Sequence, residues 1–385
     1  MRRTPVPATV FVLYRSSPLR QAALEGPPGA PERYSLYGID ELAAAGWAVE
    51  HNLEPGRAPG PVARLLGAVL GCLVRLAGGY SGDFASVLAS LRAIARADVV
   101  FSTVDTVGIP LVLLGRVGLV RTPIVYVAIG LPERLAQLRG AGARWLYRSA
   151  YRRTRAIVAY GAGEVDALRE WLGADGPEVV LVPFGVDTEA FQPDPNAAPV
   201  ADVVSVGADP RRDWSLLVSV AARRPAWTFH VVASSESAAG LEGVPANVTL
   251  ERDVPLPVAR DRLAGARVVV LPVRENSYSG ATTVLLQSMA LAKPVVVSRT
   301  AALARGYHLV DGVNCRLVPP GSADALEQAV AELLADSAQA AHIGSCARET
   351  VERYLSWERY AGDLTTLLGA VRSHDLRISD LRREP

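Results

Sequence analysis

Arg274 to Val297 reads RENSYSGATTVLLQSMALAKPVVV, and its pattern decides the fold. An apolar run, Val268-Val269-Val270-Leu271-Pro272, precedes it and predicts a buried strand. A polar turn follows from Glu275 to Gly280. Thr282 to Ala290 then carries apolar residues at helical spacing; Lys293-Pro294 stops that helix and opens a second strand at Val295 to Val297. Strand, glycine turn, helix, strand is one βαβ unit. The free N–H groups at the start of such a helix favour an anion, most naturally a phosphate. Gly280 lets a ligand approach the backbone closely, and the Thr282 and Thr283 hydroxyls add donors.

The same alternation extends outward in both directions. Upstream, Val203 to Val206 predicts a strand that closes on Gly207; the turn Ala208-Asp209-Pro210-Arg211-Arg212-Asp213-Trp214 follows, then a helix from Ser215 to Ala222. Thr228 to Ala233 predicts the next strand. In the first half, strands are expected at 8–14, 47–50, 98–101, 123–128, 156–160 and 178–183, with helices between them. Residues 15–33, polar and rich in proline and glycine, read as a long loop. Strands alternating with helices predict parallel, doubly wound sheets, in which ligands bind beyond the carboxyl ends of the strands. Asp105 and the turn Gly130-Leu131-Pro132-Glu133-Arg134 stand at such ends.

The bulk composition narrows the function classes. A chain of 385 residues with 50% hydrophobic and 21% charged residues is long enough for two or three packed domains and carries no disorder signal. A formal net charge of +1 excludes a dedicated nucleic-acid binder. Lys293 is the only lysine, so arginine carries nearly all the positive charge. Cys72, Cys315 and Cys346 are too few and too scattered for a disulfide framework or a metal-ligand spacing, so no metal site is expected and a reducing, cytoplasmic setting is. The apolar start, Thr9 to Tyr14, is too short for a secretory leader, and Leu65 to Val74 falls well below the roughly 20 residues of a spanning helix. Residues 144–155 combine Arg144, Arg148, Arg152, Arg153 and Arg155 with Trp145, Tyr147 and Tyr151. That composition fits an ordinary solvated helix that packs its aromatics inward, and it also fits peripheral membrane contact through the first domain.

The chain resembles the GT-B fold glycosyltransferases of family 4 (group 1). Leu285-Leu286-Gln287-Ser288-Met289-Ala290 and Ala292-Lys293-Pro294-Val295 match that family's donor-binding helix and its ending. Pro183-Phe184-Gly185-Val186-Asp187 through Phe191-Gln192-Pro193 resembles its interdomain signature, with Phe184 in place of an asparagine. Asp311 to Gly321 matches a further turn and strand, and Leu355 to Tyr360 resembles its closing helix. Two departures stand out. The family's two glutamates fall at Ser279 and Gln287, leaving Glu275 as the nearest carboxylate, and its acceptor-side histidines fall at Phe101 and Ile129.

The resemblance implies two Rossmann-like domains facing across a cleft: an acceptor domain over 1–190, a nucleotide-sugar domain over 191–355, and a closing helix and tail over 356–385. It implies transfer of a sugar from a UDP-, GDP- or dTDP-sugar, with retention and without a metal or bound cofactor. The acceptor would be a small molecule, a glycan or a lipid-linked species. The implied catalytic candidates are Arg212, with Arg211 beside it, Glu275 and Asp105. Gly207, Ser279, Gly280, Ala281, Thr282, Thr283 and Gln287 would bind the donor, and Tyr37 and Glu133 would face the acceptor. The family's phosphate-binding arginine falls at Ala208, which leaves Arg211 or Arg212 nearest its lysine position. A non-catalytic sugar-nucleotide binder and a sugar-nucleotide epimerase of the same fold remain as alternatives.

Overall fold

The computed structural model describes residues 7–27, 30–278 and 280–375. Six parallel strands form a first sheet: β1 (Thr9–Leu13), β2 (Ala48–His51), β3 (Val99–Ser102), β4 (Ile124–Ala128), β5 (Ala156–Ala159) and β6 (Glu178–Leu181), in the order β2-β1-β3-β4-β5-β6. A second parallel sheet holds β7 (Ala201–Gly207), β8 (Phe229–Ala233), β9 (Val248–Arg252), β10 (Ala266–Leu271), β11 (Val295–Ser298) and β12 (Arg316–Val318), in the order β12-β11-β10-β7-β8-β9. Both sheets are α/β and doubly wound, as expected.

The central strands are near-continuous valine because helices cover both of their faces. Val268, Val269, Val270 and Leu271 of β10 have no exposure, nor do Val10 to Leu13 of β1. In each sheet the winding direction reverses once. The reversals lie between β1 and β3, where Leu13 stands opposite Ser102, and between β7 and β10, where Val204 stands opposite Val269. Chain-ends of strands diverge at such points, and that is where ligands bind in open sheets.

The chain divides into two compact units, one of residues up to Val182 together with those from Ala361, and one of Pro183–Tyr360. The sequence places these limits at 190 and 355. Segment 183–190 goes with the second unit because Val186 N donates to Leu355 O, and Trp357 N donates to Val186 O. The last helix, Trp357–Ser373, thus begins in one unit and continues in the other.

One local expectation fails. The loop expected over 15–33 contains a helix, Pro18–Glu25, and a 3₁₀ turn, Pro31–Leu36. Ser17 accepts from Arg20 N and Pro18 takes the first helical turn, a start signal that the surrounding prolines and glycines mask. Behind β10, Lys293 follows a left-handed Ala292 and donates from Nζ to Ala266 O at 3.2 Å. All three cysteines are free.

Candidate functional site

In the second unit the ends of β7 and β10 are strapped together. Asp213 N donates to Pro272 O, Arg274 N donates to Arg211 O, and Arg212 forms an isolated bridge with Val273. Asp213 also caps the helix Trp214–Arg223, accepting from Leu216 N at 3.2 Å. These bonds fix the turn 208–213 against the segment that precedes the helix Thr282–Ala290.

The straps turn Arg212 inward. Its residue exposure is 3%, and neither Nε nor Nη1 has a partner among the described residues. Burial lowers its pKa to about 10, with the negative charge of Asp209 pulling the other way. A buried guanidinium without a full set of acceptors is costly, so its retention points to an anionic ligand. Gly207 makes the room: a Cβ there would lie 2.2 Å from Arg212 Nε. Arg211, by contrast, is half-buried and contributes backbone bonds to the straps.

The helix Thr282–Ala290 starts without a side-chain cap, from Ala281. Its first N–H groups therefore keep their capacity for an anion. Thr282 Oγ1 and Asn276 Oδ1 are buried and lack partners among the described residues, and both residues line one small cavity with Tyr278 and Gly280. Thr283 follows at the helix start, half-buried. Gln287, one turn further on, is 5% exposed, so it does not lie on a solvated face. Ser279 lies outside the described residues.

Asp209 closes the arrangement. Tyr278 Oη donates to its two carboxylate oxygens at 3.1 and 3.2 Å, and Arg211 N donates to Oδ1 at 2.7 Å. A Cβ on Gly280 would stand 3.0 Å from the same oxygen. Burial raises the Asp209 pKa against those bonds. Glu275 is the carboxylate that the sequence offers for catalysis. It is exposed and its Oε1 accepts from Asn276 N and Ala301 N, so it clasps the 3₁₀ turn Ala301–Leu303.

In the first unit, Asp105 opens the helix Asp105–Arg116 with no exposure at all. Its Oδ1 accepts from Tyr126 Oη at 2.7 Å and its Oδ2 from Arg134 Nε at 2.9 Å. Burial pushes its pKa up to about 6 in spite of both bonds. The base expected to face an acceptor is thus a buried anchor: it holds Tyr126 and Arg134, and Arg134 covers the Tyr80 ring at 4.3 Å. Tyr37 adopts a left-handed backbone, stacks on Tyr160 at 6.3 Å and lies under Arg20. Glu133 is half-buried in the first turn of the helix Leu131–Ala136.

Sequence reasoning missed Glu164. It is fully buried, and its Oε1 accepts from Gly130 N at 2.8 Å and Leu131 N at 3.2 Å. Burial raises its pKa to about 8. Asp209 and Tyr278 were also missed; an Asp-Pro turn directly after a strand ending in glycine was the available signal.

Residues 212–336 match the family model described as glycosyl transferases group 1, and residues 29–185 match the glycosyl transferase 4-like domain. With one of these matches in each half of the chain, the chain belongs to the GT-B glycosyltransferases of family 4 (group 1). Among curated relatives, a GDP-mannose-dependent alpha-(1-6)-phosphatidylinositol monomannoside mannosyltransferase of Mycolicibacterium smegmatis is 27% identical over 226 residues. That match covers 52% of this chain and only 59% of the relative. Among solved structures, sucrose-phosphate synthase from Thermosynechococcus elongatus superposes with a TM-score of 0.72 at 19% identity, covering 95% of this chain and all (100%) of that one. HepE of Anabaena, solved in complex with UDP-glucose, gives 0.66 at 16% identity, covering 94% and 99%. At these identities the structural likeness speaks for the fold alone.

Proposed function

We propose that this protein transfers a glycosyl group from a nucleoside-diphosphate sugar to an acceptor hydroxyl, with the donor held by the second unit and the acceptor by the first. The observation that carries this reading is Arg212: a buried guanidinium with two nitrogens lacking partners among the described residues, beside Gly207 and an uncapped helix start. When the sugar C1–O bond to the diphosphate breaks, negative charge grows on the leaving phosphate. A fixed guanidinium and fixed backbone N–H groups stabilise that charge without reorganising. The acceptor hydroxyl oxygen forms the new bond to C1 as the bond to the diphosphate breaks, and its proton passes to the departing phosphate oxygen. Arg212 fills the electrophilic role that a metal fills elsewhere, which supports a metal-independent reaction, and the family resemblance supports retention.

Gln287 supplies a carbonyl acceptor for a ribose hydroxyl. Donors named for the relatives, GDP-mannose and UDP-glucose, make UDP- and GDP-sugars the first to test. A glycan or lipid-linked acceptor is supported by the same mannosyltransferase, which acts on a phosphatidylinositol monomannoside.

The test is a thermal-shift screen of the full chain against UDP, GDP, dTDP and their sugars, followed by turnover with the donor that stabilises it. A ligand that binds only the native state raises Tm by mass action. No stabilisation by any nucleoside diphosphate would overturn the donor site. The second reading is a binder without turnover, favoured by a neutral Gln287 and by Ala208 where the family carries charge. Tight donor binding with neither transfer nor hydrolysis across glycan and lipid acceptors would select it. Proton NMR of the product anomer and turnover in the presence of a chelator decide retention and metal independence.

A further inference from the structure

The helix Pro61–Leu76 is inside out for a water-soluble surface. Its inward face is small: Gly67 and Gly71 are its buried residues, and a Cβ on Gly67 would lie 2.7 Å from Ala85 N of the neighbouring helix Phe84–Ile94. Its outward face is large and aliphatic. Val62, Leu65, Leu66, Val69, Leu73 and Leu76 recur at helical spacing and all are exposed, Leu76 at 79% and Leu65 at 67%. Six aliphatic side chains in one stripe form a contiguous apolar patch, which marks a docking surface.

The charge around the stripe says what docks. Between Glu54 and Asp83 the chain has arginines and no acidic residue. Glu54 itself, with Glu50, is paired to Arg57. The turn that follows the helix is bonded to the next basic segment: Arg139 N donates to Gly78 O at 3.0 Å, and Tyr147 Oη donates to Tyr80 O at 2.6 Å. That segment, from Glu133 to Glu164, contains seven arginines and no acidic residue between those two glutamates. On its helix, Gly140–Tyr151, Trp145 is 63% exposed, with the Arg116 guanidinium over its ring at 5.7 Å. An aliphatic stripe, an exposed tryptophan and an arginine-rich rim, in which Arg152 pairs with Asp175, match an anionic lipid interface. A second copy of this chain would set arginine against arginine.

We propose that the helix Pro61–Leu76 lies in the surface of an anionic bilayer, with the exposed Arg139, Arg144 and Arg148 of the adjoining segment on the headgroups. The helix is about 24 Å long at 1.5 Å per residue and lies flat; it does not span. This proposal stands on the first unit alone and does not depend on the donor site.

The test is co-sedimentation of the full chain with vesicles of phosphatidylglycerol and phosphatidylcholine, and with vesicles of phosphatidylcholine alone. The wild type is expected to sediment with the anionic vesicles and to be released by salt, and to partition poorly to the neutral ones. Leu65→Ser with Val69→Ser should lower partitioning on the order of tenfold or more, because two large side chains leave the interface. Arg144→Glu with Arg148→Glu should remove the preference for the anionic lipid. Both pairs change exposed positions, so UDP or GDP binding should be retained. Leu76→Ser gives the same reading should the first pair fail to fold. Absence of sedimentation with anionic vesicles overturns the proposal, as does unchanged partitioning of the serine variants. A dimer in light scattering that the serine pair converts to monomer, with vesicles ignored, assigns the stripe to a second copy and also overturns it.

Discussion

Arg212 Nε occupies the space that a side chain on Gly207 would take: a Cβ there would come within 2.2 Å of it. The two residues are therefore a single device, in which the strand end is bare so that the cation can lie flat against it. Gly207→Ala should push the guanidinium out at a cost of roughly 1–3 kcal/mol. The expected result is a folded protein with weakened UDP or GDP binding in isothermal titration. Wild-type affinity in this variant would separate Arg212 from the donor.

Arg212 itself should display opposed effects on stability and function. Arg212→Met fills the same space without a buried charge, so the nucleotide-free protein should gain roughly 1 kcal/mol, or about 2–4 °C in Tm. The same change should abolish turnover and most of the Tm rise that donor produces. Full activity in Arg212→Met, or a lower Tm without ligand, contradicts the role assigned here.

Asp209 sets a carboxylate against Gly280, ahead of the helix start that is proposed to hold the donor phosphates. Asp209→Asn keeps an acceptor for Arg211 N and Tyr278 but removes the charge. Nucleoside diphosphate affinity should rise a few-fold, up to about tenfold, with the larger gain at low salt. An affinity that falls in Asp209→Asn would mean that the carboxylate orients the turn more than it repels the ligand.

Gln287 is buried, and in the proposed donor site its carbonyl accepts from a ribose hydroxyl. Gln287→Ala should weaken nucleotide binding by roughly 1 kcal/mol or more, and Gln287→Glu should equal or exceed the wild type. Equal affinities for all three proteins remove this residue from the site.

Glu164 gives the first unit a pH dependence with a definite sign. Its pKa is raised from 4.5 to about 8 by burial, so the folded state keeps a proton that the unfolded state releases. Stability is therefore full below the unfolded value and falls as pH rises toward 8, by at most about 1.4 kcal/mol per pH unit. Asp105, raised to about 6, acts in the same direction over a narrower window. Glu164→Gln keeps an acceptor for Gly130 and Leu131 and should flatten much of the Tm loss between the unfolded value of 4.5 and about 8. A wild-type Tm that climbs between neutral and mildly alkaline pH would show that Glu164 is charged in the folded protein.

The βαβ unit around Thr282–Ala290 was legible because valine runs, a glycine turn and a helical period each favour the same local structure. Which arginine enters the site was not, because Arg211 and Arg212 are adjacent and their directions are set by the bridge to Val273, some sixty residues away. Glu164 was hidden for a similar reason: in sequence it begins an ordinary amphipathic helix, and its partners come from the Gly130 turn. In the helix Pro61–Leu76 the apolar content was plain. Its orientation depends on glycines that fit against Ala85, a contact no periodicity encodes.

The single lysine has a practical consequence. Arginine carries the positive charge of the side chains almost alone, and the one ammonium, on Lys293, donates to Ala266 O and has its pKa lowered by burial. Amine-directed reagents, from acetylating agents to succinimidyl cross-linkers, thus meet one side-chain amine, just past the end of the helix Thr282–Ala290. Surface immobilisation through amines would present the molecule in few orientations. A fluorophore placed at Lys293 would mark one known position without cysteine engineering.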